Sequence, residues 1–110
     1  MLYILISLYY NYTGIIIQGP SNVTYLPGVT PLPIELTCNV VTGVAFWRVN
    51  GTIYTLTRLT NGKLPGHNRN GTNILVNSPV NNTEYICASI TNYTESKSDP
   101  AYIIISGECD

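Results

Sequence analysis

The sequence predicts an all-β domain made of two layers of antiparallel strands. Three observations predict it. Apolar and polar residues alternate over short runs, most cleanly in Ile34-Glu35-Leu36-Thr37-Cys38-Asn39-Val40. Turn dipeptides separate the runs, at Pro27-Gly28, Asn50-Gly51, Asn61-Gly62 and Asn70-Gly71. No segment carries a helical period, an internal repeat or a low-complexity tract. At 110 residues the chain makes one domain with a single two-layer core.

The elements follow in order. Met1 to Tyr10 (MLYILISLYY) is apolar, uncharged and too short to span a bilayer. Residues 1–13 read as a leader or a truncated start, outside the fold. Gly14 to Gln18 makes a first strand, broken at Gly19-Pro20, and Val23 to Leu26 continues it. Pro31 and Pro33 keep the approach to the next strand irregular. Ile34 to Val40 is that strand, with Ile34, Leu36, Cys38 and Val40 facing inward. Ala45 to Val49 follows, with Trp47 inward. Asn50-Gly51 is a strong two-residue hairpin signal, and Thr52 to Thr57 returns from it. Leu59 to Asn70 reads as a loop hiding at most a weak strand. Asn73 to Asn77, Glu84 to Ile90 and Ala101 to Ser106 are the remaining strands, with a polar loop at Thr91 to Asp99. The domain is expected over residues 14–106, with 107–110 as a tail.

Cys38, a lone Trp47 nine residues later, and Tyr85 two residues before Cys87 resemble the pattern of an immunoglobulin-like domain. The resemblance covers roughly Ile15 to Ser106. It implies an immunoglobulin-like two-sheet antiparallel sandwich with one inter-sheet disulfide, Cys38–Cys87. Trp47, Tyr85 and Leu36 are then core-structural. In the family's lettering the strands from Ile34 onward are B, C, C′, E, F and G. Two departures matter. Asn81 stands where related domains usually carry an acidic residue, so the usual bridge to Arg is expected to be absent. The short Cys–Cys span points to the intermediate or constant-like set. The fold hosts many unrelated functions, so the resemblance by itself names none.

Composition narrows the function. The net charge is −1, which argues against a nucleic-acid or acidic-membrane partner. Charged residues make up 10% of the chain, well below the roughly 25% typical of soluble domains. N-linked glycans are the expected source of solubility. Asn-x-Thr acceptors occur at Asn11, Asn22, Asn50, Asn70, Asn81 and Asn92. Three cysteines fit an oxidising compartment, and so a secreted protein or a cell-surface ectodomain. Cys109 is the odd one, expected to stay outside the Cys38–Cys87 pair; the expectation is an intermolecular bridge or a partner in sequence beyond the chain given. No Ser/His/Asp, Cys/His or metal-ligand spacing is present, and His67, the one histidine, reads as an exposed loop residue. No enzyme, cofactor, metal or small-molecule substrate is expected.

Strand alternation exposes the informative feature. With Cys38, Trp47 and Cys87 inward, the outward residues of B and E are mostly polar. On C, F and G they are Phe46, Arg48, Ile86, Ala88, Ile90, Tyr102 and Ile104, with Glu84 among them. A solvated sheet face should be polar, so this apolar set predicts a protein-binding face for adhesion or receptor recognition. The alternatives are a spacer repeat of a larger ectodomain, or a small secreted effector dimerised through Cys109.

Overall fold

A computed structural model of the chain describes residues 16–107. The strands are β1 (Ile16–Gln18), β2 (Val23–Tyr25), β3 (Ile34–Leu36), β4 (Asn39–Val40), β5 (Val44–Val49), β6 (Thr52–Thr55), β7 (His67–Asn70), β8 (Asn73–Val76), β9 (Thr83–Thr91), β10 (Thr94–Lys97) and β11 (Ala101–Ile105). Among the described residues one short helix, α1 (Leu56–Thr60), interrupts them. The larger sheet runs β2-β11-β9-β5-β6, with β10 also paired to β9. The facing sheet is β3-β8-β7, and β1-β4 forms a separate two-stranded piece. Within the larger sheet only β2–β11 is parallel. The leader or truncated start expected at residues 1–13, and Cys109, lie outside the described residues.

The core is the inward set of both sheets. Ile34, Leu36, Ile74 and Val76 come from one sheet, and Ala45, Trp47, Val49, Tyr85 and Ile103 from the other. Cys38 and Cys87 join the layers through a disulfide, with Cα atoms 5.8 Å apart. Both cysteines and Trp47 are fully buried. The Trp47 indole Nε1 donates to the Thr72 carbonyl at 2.9 Å, so the one polar atom of that ring is satisfied inside the core.

Four segments differ from the sequence reading, each for a local reason. The strand expected over Ile34 to Val40 breaks at Thr37-Cys38, because β3 pairs with β8 whereas β4 pairs with β1. Side chains bridge the gap. The Cys38 amide donates to Asn73 Oδ1 at 3.0 Å, and the Thr72 hydroxyl donates to the Cys38 carbonyl. The strand after Asn50-Gly51 ends at Thr55 rather than Thr57. Thr55 caps α1, its hydroxyl accepting from the Arg58 amide, and Leu59 drops into the core. Five residues are too few to show a helical period. The Gly/Asn loop holds β7, a full strand paired with β8. The polar loop at Thr91 to Asp99 is instead a hairpin between β9 and β10, turned by Asn92-Tyr93.

Candidate functional site

The outward surface of the larger sheet is the candidate site. In register, Val44 lies opposite Ile90, Phe46 opposite Ala88, and Arg48 opposite Ile86 and Ile53. Glu95 sits beside Ile90, and Tyr102 lies across from Glu84. All therefore project from one face.

Exposure divides this face. Val44 (68%), Ile90 (45%), Ile53 (40%), Tyr102 (38%) and Ile104 (38%) are open to solvent, and Ile86 is half-buried. Phe46 and Ala88 share the face by register yet are buried. For Phe46, Arg48 is the reason. Its guanidinium lies 5.8 Å from the Phe46 ring centroid and grips the Glu95 carboxylate at 3.0 to 3.1 Å. That clamp joins β5 to β10 across β9, while Ala88 on β9 stands between Phe46 of β5 and Lys97 of β10. Each half is about a quarter exposed, so the ion pair adds little net stability, and its main effect is to cover apolar surface. A second polar staple joins Tyr102 to Glu84, hydroxyl to carboxylate at 3.0 Å. The hydrogen bond and charge of that carboxylate push the Tyr102 pKa up.

Two contributors were not singled out in the sequence, Val44 and Tyr93; a third, Ile53, was one of two register alternatives for its strand, the other being Tyr54 with Leu56. Val44 precedes the alternating run. Ile53 needed the β5–β6 register. Tyr93 needed the hairpin. It is fully exposed at the turn, with φ of 71°, next to Asn92 at 50°. An aromatic residue in the left-handed region is strained, and such strain collects at functional positions.

Behind the face lies a cleft of about 340 Å³ between the β6–β7 connection and the β8–β9 corner, lined by Val49, Leu64, Pro65, His67, Val80 and Thr83 among others. His67 is half-buried there rather than an exposed loop residue. Its Nδ1 is 2.9 Å from the Pro65 carbonyl, which can only accept, so Nδ1 carries the proton. Nε2 then accepts from the Tyr85 hydroxyl at 2.7 Å. The neutral ring satisfies both bonds, whereas a charged ring would put a second donor against that hydroxyl. Desolvation lowers the His67 pKa, partly opposed by the Pro65 bond, and burial raises that of Tyr85. Below pH 6.5 the unfolded chain therefore binds a proton that folded His67 resists, and stability should fall as pH drops through that range. Urea midpoints at about pH 7.5 and about pH 5.5 should fall further for the parent than for His67→Gln. Equal losses in the two proteins would refute the coupling.

The structure places the other sequence-predicted residues as follows. Leu36, Trp47 and Tyr85 are buried. Asn22, Asn50, Asn70, Asn81 and Asn92 are exposed. Asn11 lies outside the described residues. Asn81, at the position of the usual acidic residue, accepts the Ile105 amide at 2.7 Å. Among the described residues no group of His, Cys, Asp and Glu is arranged to hold a metal ion, and no helix is long and apolar enough to cross a membrane.

No family model and no curated protein matches the sequence. Solved structures do match in shape. The tandem Ig repeats of Dlar superpose with a TM-score of 0.66 at 17% identity, over 88% of this chain and 49% of that one. The N-terminal Ig1-2 module of the Drosophila receptor protein tyrosine phosphatase DLAR gives 0.65 at 17%, over 84% and 45%. This chain has an immunoglobulin-like fold. It spans about half the length of each of those two chains. At this identity the likeness speaks to the immunoglobulin-like sandwich alone. The intact disulfide is consistent with an extracellular location.

Proposed function

We propose that this immunoglobulin-like domain is an extracellular protein-recognition module, acting in adhesion or as part of a receptor ectodomain. It binds a protein partner, homophilic or heterophilic, through the outer face of the β5, β9 and β11 strands. The observation that carries this reading is the open apolar row on a sheet face. Val44, Ile53, Ile90, Tyr102 and Ile104 stand exposed around the Arg48–Glu95 clamp. Exposed apolar side chains around a carboxylate-held arginine, with a tyrosine among them, are residue types that protein interfaces favour. The receptor modules of similar fold support the setting. No reaction, cofactor, nucleic acid or small-molecule substrate enters this reading.

Ile90→Arg tests it. The side chain is on the surface, so the variant should unfold at nearly the parent temperature. In sedimentation equilibrium across a concentration series, the parent should self-associate and Ile90→Arg should stay monomeric if the partner is a second copy. For a heterophilic partner, binding to a panel of cell-surface ectodomains should be lost with the same variant. A monomeric parent that binds no ectodomain would favour the spacer reading instead.

A further inference from the structure

Three of the acceptor asparagines share one arrangement. Asn22 immediately precedes β2, and its Oδ1 accepts the Tyr102 amide of β11 at 2.9 Å. Asn50 immediately follows β5, and its Oδ1 accepts the Glu84 amide of β9 at 2.9 Å. Asn81 stands just ahead of β9, and its Oδ1 accepts the Ile105 amide of β11 at 2.7 Å. In each case a side-chain oxygen adds one rung to the β-ladder just beyond the end of a strand. A carboxamide that spends its oxygen this way has a fixed orientation. Its nitrogen makes no hydrogen bond to a described residue, and all three side chains are at the surface. Asn70 reverses the arrangement, its Nδ2 donating to Glu35 at 3.2 Å. Asn92 makes no side-chain bond to a described residue and sits at the hairpin tip.

We propose that Asn22, Asn50 and Asn81 are N-glycan acceptors that serve the fold and carry sugar at the same time, the oxygen closing the ladder and the nitrogen holding the glycan. The inference rests on the extracellular reading above, because the sugar donor is met in the secretory pathway. The donor class is a lipid-linked oligosaccharide diphosphate, delivered by a transferase acting on this chain. Asn Nδ2 attacks C1 of the first sugar, and the C1–O bond to the diphosphate breaks. The lipid diphosphate leaves with that electron pair, and Nδ2 loses one proton. Nothing is oxidised or reduced. The carboxamide oxygen is untouched, so the ladder bond survives the modification. The three sites gather where β9 begins: Asn50 bonds Glu84, and Asn22 bonds Tyr102, the residue opposite Glu84. Sugar here stands beside the edge strand β2, whose open backbone would otherwise invite pairing with another chain. Asn50 also lines the cleft beside Val80, so its glycan covers that mouth.

The test expresses the full chain behind a cleavable leader in eukaryotic cells and reads each site by mass spectrometry. High occupancy is expected at all three sites. Each is then replaced by Asp, which keeps the oxygen and removes the acceptor nitrogen, and by Ala, which removes both. In chains made without sugar, secreted into the bacterial periplasm so that the disulfide forms, the Asp variants should melt within about 2 °C of the parent, and the Ala variants about 4 °C or more below it. Occupancy at Asn70 or Asn92 with the three sites empty overturns the proposal. So does a secreted, oxidised chain with no sugar anywhere. Occupied sites whose Asp and Ala variants melt alike overturn the double role. A chain that is retained and reduced in the cell defeats the extracellular reading itself, and the proposal falls with it.

Discussion

Replacing Cys38 and Cys87 together by alanine is expected to cost about 4 kcal/mol of folding stability. The bridge closes a loop of 49 residues in sequence separation, and an open loop of that length gives the unfolded chain much more freedom. Small domains keep only about 5–15 kcal/mol in total, so the loss is a large fraction. Two features make it hard to recover. Both cysteines are fully buried, so alanine leaves a gap between the sheets. Cys38 also sits where the strand changes partners, held by Asn73 and Thr72 rather than by a ladder. Equilibrium urea unfolding of parent and double variant, both at neutral pH, measures the difference. A loss below about 1 kcal/mol would show that packing alone holds the two sheets together.

Trp47→Ala should cost a similar amount, about 3–5 kcal/mol. The indole is fully enclosed among residues of both sheets, and truncation opens a cavity that a stiff β-sandwich fills poorly. The same change leaves the Thr72 carbonyl without its donor. Trp47→Phe separates the two effects. It keeps most of the ring volume and loses the hydrogen bond, so it should cost roughly half as much as Trp47→Ala. Thermal and urea unfolding of the three proteins check this order. If Trp47→Phe were as damaging as Trp47→Ala, the Thr72 bond rather than packing would dominate the site. Thr72 also serves Cys38, so an unsatisfied carbonyl there would loosen the disulfide junction as well.

The fold was legible where one strand carries its own signal. Ala45, Trp47 and Val49 alternate inward on β5, and Ala101 and Ile103 do so on β11. Asn50-Gly51 makes the two-residue turn it announces, both residues at positive φ, with Val49 opposite Thr52. The resemblance to an immunoglobulin-like domain, carried by Cys38, Trp47, Tyr85 and Cys87, led to the bridge and the sandwich. Outward alternation likewise pointed to the face that holds Ile86, Ile90, Tyr102 and Ile104.

What crosses a strand was not legible. Alternation tells which side of a sheet a residue leaves from, and it says nothing of a neighbour that folds back over it. Phe46 and Ala88 leave from the solvent side and are buried: Arg48, reaching 47 positions along the chain to Glu95, lies over the Phe46 ring, and Ala88 is flanked by Phe46 and Lys97. His67 looked like a loop residue and is the partner of Tyr85, 18 positions away. Asn22 looked like any acceptor triplet, and its oxygen completes a ladder 80 positions distant. Residue type and short-range periodicity determined the β class and most of the strands, and the resemblance carried by Cys38, Trp47, Tyr85 and Cys87 supplied the sandwich and the disulfide. Tertiary structure decided which of the outward residues stay open to solvent, because long side chains and strand ends find their bonding partners across the sheet rather than along it.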